Sequence, residues 1–285
     1  MRLPEALAAY ENEQGGFTDS EGKTRRLQVE IRDDGYDPTR TIPLVDELID
    51  AQKVFAVGTI GTPNQVKVFD KLNERCVPHP AISGHCRWVT PSATRGPPAR
   101  RSPTLRSGDH RAVQQAKLDT EFGGKATVAV LLFSNDFGAA FDSGFEAFLA
   151  SSARAADIEY VTEIVEPSAP TIKDAMTTLA SKEPDVFVAA VAGAACTQAV
   201  TESAENGMKE AVPYKILDSA CKASGVKPLE LAGQADGWYA VGGGYRDITS
   251  AAADTDPWMI HAREMLAASG LNYKASTSFN AGSSC

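Results

Sequence analysis

Three groups of residues have the types that chemistry needs. Cys76, His79, His85 and Cys86 are zinc-type donors in one short stretch, but their spacing fits no standard zinc finger. Asp33, Asp34 and Asp37 could line a metal or phosphoacceptor pocket. Asp37-Pro38 is also the signature of a helix start, where an acid caps the first amides and proline occupies the first helical position, and acidic caps are far commoner than acidic pockets. Thr62-Pro63 repeats that signature. His110 and His261 have no partner in the sequence, and Gly242-Gly243-Gly244 lacks the spacing of a nucleotide loop. No nucleophile elbow, zinc-protease helix or phosphate-binding loop occurs. What remains is hydrogen-bonding groups at helix starts, which suits binding rather than catalysis. No cofactor and no metal site is expected.

The elements that must position these groups alternate. A helical pattern at 6–13 ends at Gly15-Gly16, and 26–33 (RLQVEIRD, reading 26 to 33) alternates like a half-buried strand. A helix is predicted from Asp37-Pro38 to about 51, a buried strand at 54–58 and a second helix from Thr62-Pro63 to about 74. Strands are then predicted at 126–133, 158–164, 185–192, 214–217 and 238–241, with helices at 138–153, 171–182, 195–208 and 226–233 between them. Such alternation gives a parallel, doubly wound sheet with right-handed crossovers, in which ligands bind beyond the carboxyl ends of the strands.

Composition agrees. A chain of 285 residues suits two domains, and its 43% hydrophobic and 23% charged residues suit a core in each. A net charge of −9 disfavours nucleic acid or an anionic membrane as partner, which leaves a small neutral or zwitterionic solute. No apolar run spans a bilayer, and the start has no signal-peptide core. Residues 86–113 break the texture: arginines at 87, 95, 100, 101, 106 and 111 stand among prolines with a single acid, Asp109. This composition buries too little apolar area to order itself and is expected to be irregular.

Four collinear stretches, ENEQGG (11–16), RDDGYDPTRTIPLVDELI (32–49), VFAVGTIGTPNQ (54–65) and ATVAVLLFSNDFGAAFDSGFEAF (126–148), resemble the branched-chain amino acid (leucine) binding protein family of ABC transporters. The resemblance covers most of 6–76 and 117–282. It implies the type I periplasmic-binding-protein fold: α/β, two doubly wound parallel-sheet lobes joined by a hinge that close on a solute. By this reading the first lobe is 1–122, the second 123–248, and 249–285 returns toward the first. The implied function is solute binding for an ABC importer, with ABC permease and ATPase subunits as partners, as a monomer in the periplasm or on the outer face of the cell envelope. A ligand-sensing regulatory domain of the same fold is the first rival and a Rossmann-type enzyme the second.

The resemblance also assigns residues. Gly61 and Thr62 match the turn whose hydroxyl and amides grip the ligand, and Ser83-Gly84 match the next contact. Phe137 matches an aromatic at the mouth of the second lobe, with ordinary hinge packing as the alternative. Gly193 stands in a small run, Ala192 to Ala195, where relatives place a tyrosine. Asp218 and Ser219 fall where relatives place a carboxylate for the ligand's ammonium group, one residue out of step. The resemblance implies an amino acid or a related carboxylate as solute, and these two departures count against an α-amino acid. Cys196 and Cys221 lie just beyond two neighbouring strands, which suits a disulfide if the protein is exported. Relatives begin with an additional central strand, so the first lobe is expected to be incomplete, and 86–113 replaces a strand and helix either as a genuine insert or as a stretch read in the wrong frame.

Overall fold

Capping and ladder partners decide which of these segments become regular. The computed structural model describes residues 3–79, 118–223, 233–240, 246–248, 251, 254–271 and 280–281. Ser83, Gly84, the stretch 86–113 and all but the last residue of the helix expected at 226–233 lie outside the described residues. Helix α1 (Leu3–Glu13) is followed by an antiparallel pair, β1 (Phe17–Thr18) and β2 (Thr24–Arg25). The Asp19 carboxylate fastens that hairpin by accepting from the amides of Glu21 and Lys23 and from the Arg25 guanidinium. Helix α2 (Pro38–Asp46) opens at Asp37, whose Oδ1 accepts from Thr39 N at 2.8 Å, and continues into a π turn, Glu47–Ala51. Helix α3 (Thr62–Glu74) opens at Gly61, with φ at 98°, so the cap is the glycine and Thr62 is the first helical residue.

Two expected strands do not form among the described residues. Segments 26–33 and 54–58 carry no strand assignment. Leu27 N donates to Asn12 Oδ1 at 2.7 Å and Val57 N to Pro78 O at 3.0 Å, so a side chain and a single loop contact take amides that a ladder would use. Alternation makes a strand only where a neighbour offers a matching row of donors and acceptors. Phe55 is 87% exposed, which also excludes the buried setting its apolar run suggests.

The second half follows the alternating order. After α4 (Leu118–Glu121) come β3 (Ala126–Phe133), α5 (Asp136–Ser151), β4 (Ile158–Val165), α6 (Lys173–Ala180), β5 (Val186–Ala190) and α7 (Ala194–Glu205). Then come α8 (Met208–Ala211), β6 (Tyr214–Leu217), α9 (Ser219–Ala223) and β7 (Trp238–Ala240). The five strands lie in the order β4-β3-β5-β6-β7, every pair parallel. Because helices cover both faces, β5 and β3 from Val128 onward are apolar throughout rather than alternating. Ala129, Leu131, Phe133, Phe187, Ala189 and Val191 point into one core, and Val128, Val130, Leu132, Val186, Val188 and Ala190 into the other.

The chain divides into two compact units, residues 34–243 and residues 1–33 with 244–285. Within the larger unit α3 packs against α5. Val45, Val57, Val68 and Leu72 form a small core beneath α2 and α3. In the smaller unit α1 packs on α10 (Pro257–Ala268), whose Met259, Ala262, Met265 and Leu266 are buried with Ile248. No helix among the described residues is long and apolar enough to cross a membrane.

Candidate functional site

The strand order contains a switch. From β3 the chain turns to β4 through α5, whose Phe141 and Phe145 cover one face; from β5 it turns the other way through α7, whose Ala199 and Val200 cover the opposite face. The loops leaving the carboxyl ends of β3 and β5 therefore part in opposite directions. In an open parallel sheet that parting is where ligands bind. Residues 134–137 follow β3, 191–193 follow β5, and Asp218 follows β6.

Each loop is shaped by its own residues. Asn135 caps α5, its Oδ1 accepting from Phe137 N at 3.0 Å and Gly138 N at 3.3 Å. Gly138 lets that helix start seat on the strand: a Cβ there would lie 1.9 Å from the Phe133 carbonyl oxygen. Phe137 is 6% exposed and belongs to the core with Phe133, Met176 and Cys196, so it packs on the sheet beneath the loop. Gly193, exposed and at φ 61°, is the N-cap of α7, and no side chain caps that helix.

Asp218 is 1% exposed, and its Oδ1 accepts from Ala220 N at 2.9 Å and from Ser219 Oγ at 3.4 Å. Among the described residues its Oδ2 has no hydrogen-bond partner. Burial pushes the carboxyl above the usual carboxylate range, against the backbone donors of Ala220 and Ser219. A disulfide joins Cys196 to Cys221, with Cα atoms 5.3 Å apart, and so holds the start of α7 beside the loop that carries Asp218.

The 34–79 part of the same unit brings a second set together. Gly61 is buried and Thr62 is wholly buried at the start of α3. Asp34 and Asp37 serve the turn before α2. Asp34 Oδ2 accepts from Thr41 Oγ1 and from Asn64 Nδ2, each at 2.7 Å, and so links α2 to α3. His79 Nε2 lies 2.8 Å from Thr59 Oγ1, and burial pushes its imidazole down to about 4. Cys76 is exposed, and no metal-binding cluster occurs among the described residues.

Sequence reasoning missed Tyr36. It sits at φ 61°, a conformation rare for a bulky residue that costs on the order of 1 kcal/mol. A Cβ on Gly61 would lie 2.3 Å from its Cε2, so the ring rests against the glycine that caps α3. Burial, aided by Asp136, pushes its phenol up to about 12. An aromatic inside the turn Gly35-Tyr36-Asp37-Pro38 is the one signal that could have drawn attention to it.

An open parallel sheet with helices starting at its carboxyl edge is the arrangement in which small molecules bind at strand ends. The periplasmic binding protein family matches residues 5–268, and the chain belongs to it. The fold is similar to that of the fatty acid ABC transporter substrate-binding protein from Thermomonospora curvata (TM-score 0.71, 16% identity, 95% of this chain and 64% of that one). It is also similar to a possible leucine/isoleucine/valine-binding protein from Rhodopirellula baltica SH 1 (TM-score 0.72, 16% identity, 96% and 71%). A third is a solute binding protein of an ABC transporter from Rhodopseudomonas palustris BisB5, in complex with 3,4-dihydroxy benzoic acid (TM-score 0.62, 19% identity, 93% and 67%). The chain thus spans 64% of the length of the Thermomonospora protein. No curated protein matches it.

Proposed function

We propose that this protein is a solute-binding component of an ABC importer that takes a small organic carboxylate and carries out no chemistry on it. The observation that carries the reading is the pairing of two unlike groups at one sheet edge. The amino-terminal end of α7, which starts at Ala194, attracts an anion through its dipole. Asp218, held beside it by the Cys196–Cys221 disulfide, offers an unpaired buried oxygen to a solute N–H or O–H. A solute with a carboxylate at one end and a donor at the other satisfies both. The amino-acid and dihydroxybenzoate names among the similar structures have that chemistry in common. Gly61 and Thr62 are the proposed grip from α3, Phe137 supports the α5 loop from beneath, and Ser83, Gly84 and Ser219 complete the assigned set. Export and docking to ABC permease and ATPase subunits follow from the same reading.

The test is a melting-temperature screen of the full chain with leucine, 3,4-dihydroxybenzoate and a fatty acid, followed by product analysis. A ligand at one hundred times its Kd stabilises by about 2.7 kcal/mol. One class should raise the melting temperature and be recovered unchanged. No shift with any of them, or conversion of the ligand, would defeat the proposal.

A further inference from the structure

We propose that Asp218 keeps a proton on Oδ2 in the unliganded protein and so selects a solute that brings a hydroxyl, not an ammonium, to the edge of the sheet. The ligand side of the inference rests on the solute-binding reading; the state of the carboxyl does not. The two Asp218 oxygens are unlike. Oδ1 accepts from Ala220 N at 2.9 Å and from Ser219 Oγ at 3.4 Å, which is how a carboxyl caps a helix, here α9. Oδ2 has no hydrogen-bond partner among the described residues, and the side chain is 1% exposed. Capping explains the first oxygen and leaves the second without a reason.

The surroundings decide where a proton sits. From β5 the loop meets the Ala189 carbonyl, which accepts from Asp218 N at 3.1 Å, and from α7 it meets the Cys196–Cys221 disulfide, which does not titrate. Lys215, the charged residue of β6, turns its ammonium to the Val212 carbonyl, and Tyr239 of β7 stacks on Tyr214. The acids of α7, Glu202 and Glu205, stand in its last turn. No described side chain supplies a counter-charge to Asp218. A buried carboxylate with one bare oxygen and no cation is costly, whereas its protonated form is not. Since Oδ1 already accepts donors, the proton goes to Oδ2. Asp37 is the internal control: it caps α2 from a partly exposed position, and the Thr39 hydroxyl and amide hold its carboxyl below the usual range. Burial drives Asp218 the other way.

Protonation decides what Oδ2 can hold. Its O–H donates, and a solute hydroxyl accepts while keeping its own proton for another partner. An ammonium has only donors, so it is refused until the proton leaves. Hydroxyl and ammonium carboxylates of one shape therefore respond differently to pH, and only the second gains as Asp218 ionises.

The experiment has two arms on the full chain. Carbon-13 labelling of aspartate gives the Asp218 titration midpoint in the unliganded protein, assigned by the signal lost in Asp218→Asn. Calorimetry then compares two pairs that differ only in the donor, 2-hydroxy-4-methylpentanoate with leucine and 6-hydroxyhexanoate with 6-aminohexanoate, on each side of that midpoint. Below it the hydroxyl member of one pair should bind about ten-fold tighter or more, the cost of an unmatched donor. The ammonium member should gain about ten-fold for each pH unit up to the midpoint, because only the ionised fraction is competent. That gain should be absent in Asp218→Asn, and if this variant does not fold, the pH response of the parent decides alone. A midpoint at the ordinary 3.8 or lower would overturn the proposal, and so would an ammonium member that binds tighter than its partner below the midpoint. Binding of no probe by the parent would defeat the selection too. A raised midpoint would then show that the solute reading, and not the proton on Asp218, is at fault.

Discussion

Reducing the Cys196–Cys221 disulfide should destabilise the larger unit by an amount set by the loop it closes. The cysteines are separated by 25 residues. Loop-closure entropy for that length is about 12 cal/mol/K, or about 3.5 kcal/mol at room temperature. Both residues are fully buried, so the bond is shielded in the folded protein and opens to reductant mainly on unfolding. The effect therefore enters through the unfolded ensemble. At about 2–4 °C per kcal/mol for a unit of this size, the melting temperature should fall by about 7–14 °C under strong reductant. The assay is paired thermal and urea unfolding with and without reductant, with intact mass confirming the oxidised form. A Cys196→Ala, Cys221→Ala variant should match the reduced protein apart from the small voids that alanine leaves. Reductant should not change that variant further. Equal midpoints for the oxidised and reduced parent would refute the reasoning, and so would a reductant effect that survives in the double variant.

Three further outcomes are expected. Asp218→Asn should stabilise the protein at neutral pH: the folded carboxyl is raised from 3.8, so the folded state holds its proton longer and the parent loses stability as pH rises above that value. The difference should vanish in acid, and a neutral-pH melting temperature below the parent's would contradict the assignment. His79 has the opposite slope, since its folded value is lowered from 6.5 to about 4 and stability is lost as pH falls through that window. His79→Gln should flatten this part of a melting-temperature profile, and an unchanged profile would show that His79 is not buried neutral. Gly138→Ala should cost about 3 kcal/mol or more, because the added methyl meets the backbone of Phe133, which cannot swing aside. A urea midpoint close to the parent's would show that α5 is not seated on β3 as described.

The second-half strands were legible because their signal is local. In 126–133 and 214–217 an apolar run bounded by turn residues coincides with the strand itself, and no outside partner had to be guessed. Asp37 likewise declared its helix, since a cap and the helix it opens are adjacent in sequence. Residues 26–33 and 54–58 carry comparable patterns, but a strand also needs a neighbour, and pattern says nothing of whether one is present. The β1–β2 hairpin was missed for a related reason: its strands are two residues long and are fastened by Asp19 rather than by an apolar face. Among the candidate residues, Gly61 and Asp218 stand at element boundaries that sequence could mark. Tyr36 depends on a left-handed backbone and on a ring contact with Gly61 in another element, and neither leaves a pattern.

The division of labour between β3 and its loop bears on how such proteins diversify. From Val128 to Phe133 strand β3 points apolar side chains into a core on each face, so many substitutions that preserve bulk leave its path unchanged. The loops past the strand ends carry little of that core, so a change there leaves the framework undisturbed. Drift in the two layers is then nearly independent. A backbone shared at a TM-score of 0.71 with only 16% identity is what that independence produces. One scaffold can then be kept by sequences that have little else in common.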